Sequence, residues 1–380
     1  MSEQPEPVFA RGLVGIIAAE TGLSSVDGAN GILKYSGYNI DDLAGQVSYE
    51  EVVHLLFYGD LPNSDQLANL QADLAAQRTL PALVLDLIRA APRNASPMDV
   101  LRTAVSALAL NLPDASDHSI EATQRKALGL VAQFPLIVAA IERARNGAEV
   151  VESDPELDHA ANFLYVLTGA RADALRAAAL NLYLVMLADH SFNASTFTAR
   201  VAASTNADLH AAIAAAVGAL KGNLHGGAAE ATMRMLLQIG ARDGVEAYVD
   251  DAFAHKRKIM GIGHRIYKTG DPRARHLIEW ARKMEDYRAD GSEYVDMASD
   301  VAAAVLRHKE LYPNVDFFSA PLLYYLGIPV DLDTCVFAAA RVAGWIAHVI
   351  EQYRDATLIR PKARYAGAPD RAFTPLAERE

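Results

Sequence analysis

The chain has 380 residues, 51% hydrophobic and 22% charged, enough for a large apolar core and more than one domain. Its formal net charge of −12 argues against non-specific nucleic-acid binding, which needs a basic face. One cysteine, Cys335, leaves no intramolecular disulfide framework and no Cys-based zinc site.

Residues 1–7 read as an acidic, disordered tail without the apolar run of a secretory signal. No apolar stretch reads as approaching the roughly 18 residues that cross a bilayer. A cytoplasmic, reducing location is expected, with no membrane partner. From Gly12 to Tyr38 the pattern is strand-like, with Ile16-Ile17 and Ile32–Tyr35 flanking a turn at Asp27–Gly31. Ser48 and Glu51 form a capping box before an apolar run that Gly59 can stop. Leu67, Leu70 and Leu74 mark an amphipathic helix. Ser96-Pro97 and Asp154-Pro155 each place a capping residue before a proline at a helix start. Pro135 should kink or divide the helical stretch Glu121–Arg145. Further helices are predicted over Ala172–Ala188, Asp208–Leu220, Gly227–Leu237, Tyr294–His308 and Asp333–Tyr353. Alternating βα units are absent, so the fold class is mainly α with a small N-terminal β element.

Four polar or glycine-rich interruptions carry the candidate chemistry. His225 sits in Asn223–Gly227, where two glycines admit a close approach and the next helix start favours a neutral imidazole. Met260–Arg273 holds Gly261, Gly263, His264, Arg265, Lys268 and Arg273, a set suited to an anion with extended phosphates. Its spacings match neither a Walker A loop nor a dinucleotide fingerprint. Asp316 lies among apolar residues, and burial there should raise its pKa and make it a better proton acceptor. As an isolated feature it reads first as a helix N-cap. His190 follows a helix C-terminus, whose dipole favours a charged imidazole or a strong donor. Arg341 interrupts an apolar helix and needs a buried partner or a ligand, whereas Arg360 on its own reads as a surface charge. The other eight histidines, His348 among them, read as structural or exposed. Metalloprotease, EF-hand and Gly-x-Ser-x-Gly motifs are absent, and no metal or cofactor is expected.

Taken in order, Gly12–Thr21, Asp27–Leu33, Glu50–Leu56, the His225, His264 and Asp316 segments and the end near Phe373 resemble the citrate synthase family over nearly the whole chain. The resemblance implies a two-domain, multi-helical fold. Residues 1–225 with 327–380 would form a large domain and 226–326 a small one, with the active site between them. It implies condensation of acetyl-CoA with oxaloacetate. His225 would bond the thioester oxygen, Asp316 would take the methyl proton and His264 would polarise the ketone. His190, Arg273 and Arg341 would hold the oxaloacetate carboxylates, joined across a homodimer interface by Arg360. Lys268, Gly261 and Gly263 would serve CoA. Ala229 stands where an asparagine is common, which could alter a contact near His225. The chain lacks the extra N-terminal domain of longer bacterial forms, so neither NADH regulation nor a hexamer is expected. A 2-methylcitrate synthase using propionyl-CoA is the near alternative. A citryl-CoA-cleaving enzyme would want an attached ligase module, and a non-catalytic CoA-binding or scaffold protein would not need Asp316.

Overall fold

The computed structural model describes residues 9–288 and 290–379; the acidic tail of residues 1–7 lies outside them. The chain first forms a three-stranded antiparallel sheet, β1 (Ser24–Asp27), β2 (Ile32–Tyr35) and β3 (Tyr38–Asn39), with Val26 opposite Leu33. The turn between β1 and β2 is local chemistry. The Asp27 carboxylate accepts the backbone N–H groups of Ala29 and Asn30, and Asn30 returns a side-chain bond. Ile16 and Ile17 are exposed and outside any strand, which corrects that part of the expectation.

Sixteen α-helices follow among the described residues. The first ten are α1 (Ile40–Leu43), α2 (Tyr49–Tyr58), α3 (Ser64–Ala76), α4 (Ala82–Ala90), α5 (Pro97–Leu108), α6 (Ile120–Arg145), α7 (His159–Thr168), α8 (Ala174–Leu187), α9 (Ala194–Ala203) and α10 (Leu209–Leu220). The last six are α11 (Ala228–Ile239), α12 (Val245–Ala254), α13 (Pro272–Arg288), α14 (Tyr294–His308), α15 (Val315–Tyr325) and α16 (Asp333–Asp355). The capping box at Ser48 and Glu51 forms, and Gly59 closes α2 in the left-handed region. Pro97 starts α5, but the Ser96 side chain makes no capping bond. No helix begins at Pro155. Asp154 and Pro155 lead into a turn, and Asp158 caps α7. Pro135 sits inside α6, buried among neighbouring helices, and the helix runs on past it.

The core is organised around α16, buried along nearly its whole length and packed against α2, α5, α6, α8, α9 and α10. Two helical stretches, Ile120–Arg145 and Val330–Asp355, are long and apolar enough to cross a membrane, contrary to the sequence expectation. Burial inside the helical core explains their composition, completely so for the most apolar window of the second. Helices α11, α13, α14 and α15 pack on one another, with α13 and α15 against α8 and α11 against α16.

Candidate active site

Two backbone strips assemble one wall of the site. Gly263 N–H donates to Tyr312 O (2.7 Å), Asn314 N–H to Gly261 O (2.9 Å) and the Asn314 amide to Gly263 O (3.0 Å). Gly261 has φ +73°, and a Cβ there would lie 2.7 Å from Thr232 Oγ1 and 2.8 Å from the Phe317 ring, so only glycine fits. This zip places the His264 loop beside the start of α15, which carries Asp316. The Asp316 backbone is capped by Asn314, so Asp316 is not the N-cap, and its side chain is left for other work.

His190, His225, His264, Arg273, Asp316 and Arg341 all line one cleft of about 1600 Å3, together with Gly261 and Gly263. Their protonation follows from their partners. His264 Nδ1 accepts the N–H groups of Ile266 (3.0 Å) and Tyr267 (3.1 Å), so its Nε2 carries the proton. His225 Nε2 accepts the Ser195 backbone N–H (3.3 Å) and lies 2.8 Å from Ser195 Oγ, so its proton sits on Nδ1. Ser195 Oγ is fixed in turn by Trp345 Nε1 (3.1 Å) and Asn193 Oδ1 (2.8 Å). Burial lowers both imidazoles to about 4, helped by Arg341 at His225, and at His264 only partly offset by Asp271. Both are therefore neutral donors at neutral pH.

His190 does not carry the charge that its helix dipole suggested. Burial, then Arg273, Arg341 and His264, push its pKa well down, and its Nε2 meets Tyr267 OH at 3.0 Å. Burial and two buried guanidinium groups together outweigh one helix end. Arg273 is held by Asp271 in a bidentate pair, Nε to Oδ1 at 2.9 Å and Nη2 to Oδ2 at 2.7 Å. Arg341 donates from Nε to Leu187 O (2.6 Å) and lies over the Phe337 ring. Asp316 Oδ1 has no hydrogen-bond partner, and burial raises the carboxyl to about 7 against the pull of Arg273 and Arg341.

Two expected residues lie elsewhere. Arg360 is exposed beyond the end of α16 and does not line its own chain's cleft. Lys268 lines a separate pocket of about 240 Å3 with Glu310, Tyr312 and Asp271. Besides Arg341 and the His264 segment, the cations that line the cleft are Lys256, Arg257 and Lys258, with Lys309. Sequence reasoning passed over this basic run, and it also missed Ser195, Tyr267 and Asp271, whose roles depend on distant partners. Ala229 is buried in the first turn of α11. No group of three or more His, Cys, Asp or Glu side chains is arranged to hold a metal among the described residues.

A family model described as citrate synthase, C-terminal domain, matches residues 12–362. Citrate synthase 2 of Bacillus subtilis is 43% identical over 97% of this chain and 99% of its own length. 2-Methylcitrate synthase 2 of Corynebacterium glutamicum is 39% identical, covering 100% of both chains. The solved citrate synthase of Pyrobaculum aerophilum superposes with a TM-score of 0.91 at 38% identity, covering 99% of this chain and 97% of that one. That of Thermoplasma acidophilum, a ternary complex with carboxymethyl coenzyme A and oxaloacetate, gives 0.92 at 32%, covering 98% and 100%. The chain belongs to the citrate synthase family.

Proposed function

We propose that this enzyme condenses acetyl-CoA with oxaloacetate and water to give citrate and CoA. The observation that carries this reading is one cleft holding an unpartnered carboxylate, two neutral imidazole donors of fixed tautomer and two buried arginines. A thioester methyl is a weak acid, so a carboxylate needs help to ionise it. Asp316, poised near 7, takes the methyl proton. His225 Nδ1–H donates to the thioester oxygen as charge develops there, a contribution of roughly 3–4 kcal/mol by analogy with an oxyanion-hole donor. His264 Nε2–H polarises the oxaloacetate ketone and hydrogen-bonds the alkoxide that forms as the carbon–carbon bond closes, while the proton on Asp316 is the one that balances the new negative charge. His190, Arg273 and Arg341 hold the two carboxylates, and water then hydrolyses citryl-CoA. Neutral imidazoles suit this division, because neither can quench Asp316 with a full charge.

Condensation must precede hydrolysis, so water has to be excluded first. Closure of residues 226–326 onto the remainder of the chain would do this when oxaloacetate binds. The exposed position of Arg360 supports a homodimer in which it serves the partner's cleft. Mixing Arg360→Ala with Asp316→Ala subunits should restore activity in hybrid dimers; subunit exchange without rescue would refute the arrangement. The basic run Lys256–Lys258, with Gly261 and Gly263, supplies a CoA surface. The reaction needs no metal or resident cofactor, and a cytoplasmic location fits its substrates.

The 39% identity to a 2-methylcitrate synthase sustains propionyl-CoA as a second reading. One methylene is worth only about 1–3 kcal/mol in an apolar pocket. Free CoA release with oxaloacetate, compared between acetyl-CoA and propionyl-CoA, decides it. A higher kcat/KM for acetyl-CoA is expected, and a propionyl preference would reassign the substrate while keeping the mechanism.

A further inference from the structure

Behind the cleft, four buried polar groups from distant parts of the chain meet in a line. The Arg200 side chain is 1% exposed and bonds Glu351 and, through Nε, Gln352 Oε1 (3.1 Å). Its Nη1 also lies 3.2 Å from His348 Nδ1. A guanidinium N–H can only donate, so His348 Nδ1 accepts. The proton of a neutral imidazole is then on Nε2, which lies 3.3 and 3.4 Å from the two carboxylate oxygens of Asp189. Asp189 is fully buried. Its Oδ2 accepts the Ser24 hydroxyl (2.5 Å) and the Ser191 N–H (3.1 Å).

The position of Asp189 gives this line its meaning. Ser191 has φ +48°, the left-handed region that a serine adopts at a cost, and the Asp189 carboxylate catches its N–H. Between them lies His190, whose imidazole faces Tyr267 and the cleft. The turn that aims His190 is therefore tied down by the Asp189 carboxylate together with the Ser24 hydroxyl, whose oxygen also accepts the Ser191 N–H (3.0 Å). That same carboxylate is the first negative charge opposing the buried Arg341. Burial alone would lift Asp189; the hydrogen bonds from His348 and Ser24 and the charge of Arg341 instead hold it below its usual range.

We propose that His348 is a positioning residue for the oxaloacetate site, transmitting the hold of Arg200 through a neutral imidazole to Asp189 and so fixing the Asp189–Ser191 turn that presents His190. This deepens the proposed function and rests on oxaloacetate binding at His190 and Arg341. His348 touches no reacting atom, so its loss should weaken oxaloacetate binding more than turnover.

The test compares His348→Leu with His348→Gln. The Gln amide nitrogen reaches the place of ring Nε2 and keeps the donor to Asp189; Leu supplies similar apolar volume and no donor. The expected result is an oxaloacetate KM raised at least tenfold in H348L with kcat within threefold, and most of that loss recovered in H348Q. Ser24→Ala, which removes a donor to the same carboxylate and an acceptor of the Ser191 N–H, should raise KM about threefold, and it carries the test if H348L does not fold. A purely structural role would lower the melting temperature of H348L while leaving KM unchanged. An H348L KM within twofold of wild type, an H348Q no better than H348L, or an S24A with unmoved KM would overturn the inference. Calorimetric binding of oxaloacetate to the wild-type enzyme separates the two readings. No binding there fails the proposed function, whereas binding with variants unaffected fails only this assignment.

Discussion

Asp271 and Asp316 are buried carboxylates joined by one backbone bond, Val315 N–H to Asp271 Oδ2 at 3.1 Å, and they are held in opposite states. Asp271 lies beneath the floor of the cleft, where it holds Arg273, which lines it. Burial would raise it, but the bidentate Arg273 and the nearby His264 hold it below its usual range. Asp316 belongs to the acid–base corner, where burial acts on a carboxyl with one bare oxygen and lifts it to about 7. The difference is one of partners, since both are removed from water. Satisfied charge makes a rigid binding surface, and unsatisfied charge makes a proton acceptor.

Removing the acceptor should have the largest effect. Asp316→Asn keeps the shape and should lower kcat about 10³-fold, within the range of a lost general base, while oxaloacetate still binds by calorimetry. The same variant should be more stable than wild type in alkali. Asp316 titrates at about 7 in the folded state and at its ordinary value of 3.8 unfolded, so the folded form binds the extra proton. Its contribution to stability is present in acid and falls as pH rises from about 4 to about 7. Thermal melts should show the advantage of Asn growing over that window and flat above it. An advantage constant with pH would mean that Asp316 is not raised.

Breaking the floor comes next. Asp271→Asn leaves Arg273 buried with half its partner and should cost about 3 kcal/mol of stability, the lower end of the range for an opened buried pair. It should also raise the oxaloacetate KM. Chemical denaturation checks the first and steady-state kinetics the second. A variant of unchanged stability would mean that the pair contributes nothing to holding the wall of α13 against α15.

How far these two regions were legible in the sequence differs for the same reason. Local chemistry could be read: the Asp27 turn, the Ser48 and Glu51 box, the Pro97 start of α5 and the bounds of α14. The raised pKa of Asp316 was legible because its apolar neighbours are adjacent in the chain. What failed depended on distant residues. Asp154 looked like a cap, but its carboxylate is taken by Arg171 and the true cap is Asp158. Pro135 looked like a break, yet burial on every side carries α6 through it. His190 reads as cationic from its own helix, and burial, with Arg273 and Arg341, reverses that. The contacts of His348 gave no signal, since Arg200 and Asp189 are far away in sequence.

A smaller effect sharpens the acid–base corner. Ser195→Ala removes the hydroxyl beside His225 Nε2 but leaves the backbone N–H that fixes the tautomer. The loss should be about 1 kcal/mol, the net worth of one hydrogen bond, or roughly fivefold in kcat. Ser195→Pro would also delete the N–H, but it would damage the start of α9 and so could not isolate the tautomer. A hundredfold loss in Ser195→Ala would instead make the hydroxyl the main restraint on the ring.

The smallest effect is expected at Lys268, and it tests where the CoA surface lies. The resemblance assigns this lysine to CoA, but it lines the small adjoining pocket with Glu310 and Tyr312, not the cleft that the basic run lines. An exposed cation near a phosphate acts through water, so its reach is limited to about a Debye length, roughly 8 Å at physiological salt. Lys256 and Lys258 line the cleft itself. Lys268→Ala should therefore change the acetyl-CoA KM less than threefold, and less than Lys256→Ala or Lys258→Ala does, with a steeper salt dependence lost in the latter two. The reverse order would mean that the loop Gly263–Gly270 turns over when CoA binds, carrying Lys268 from the small pocket to the cleft. The glycines at both ends, with φ +87° and +113°, are conformations that permit such a movement.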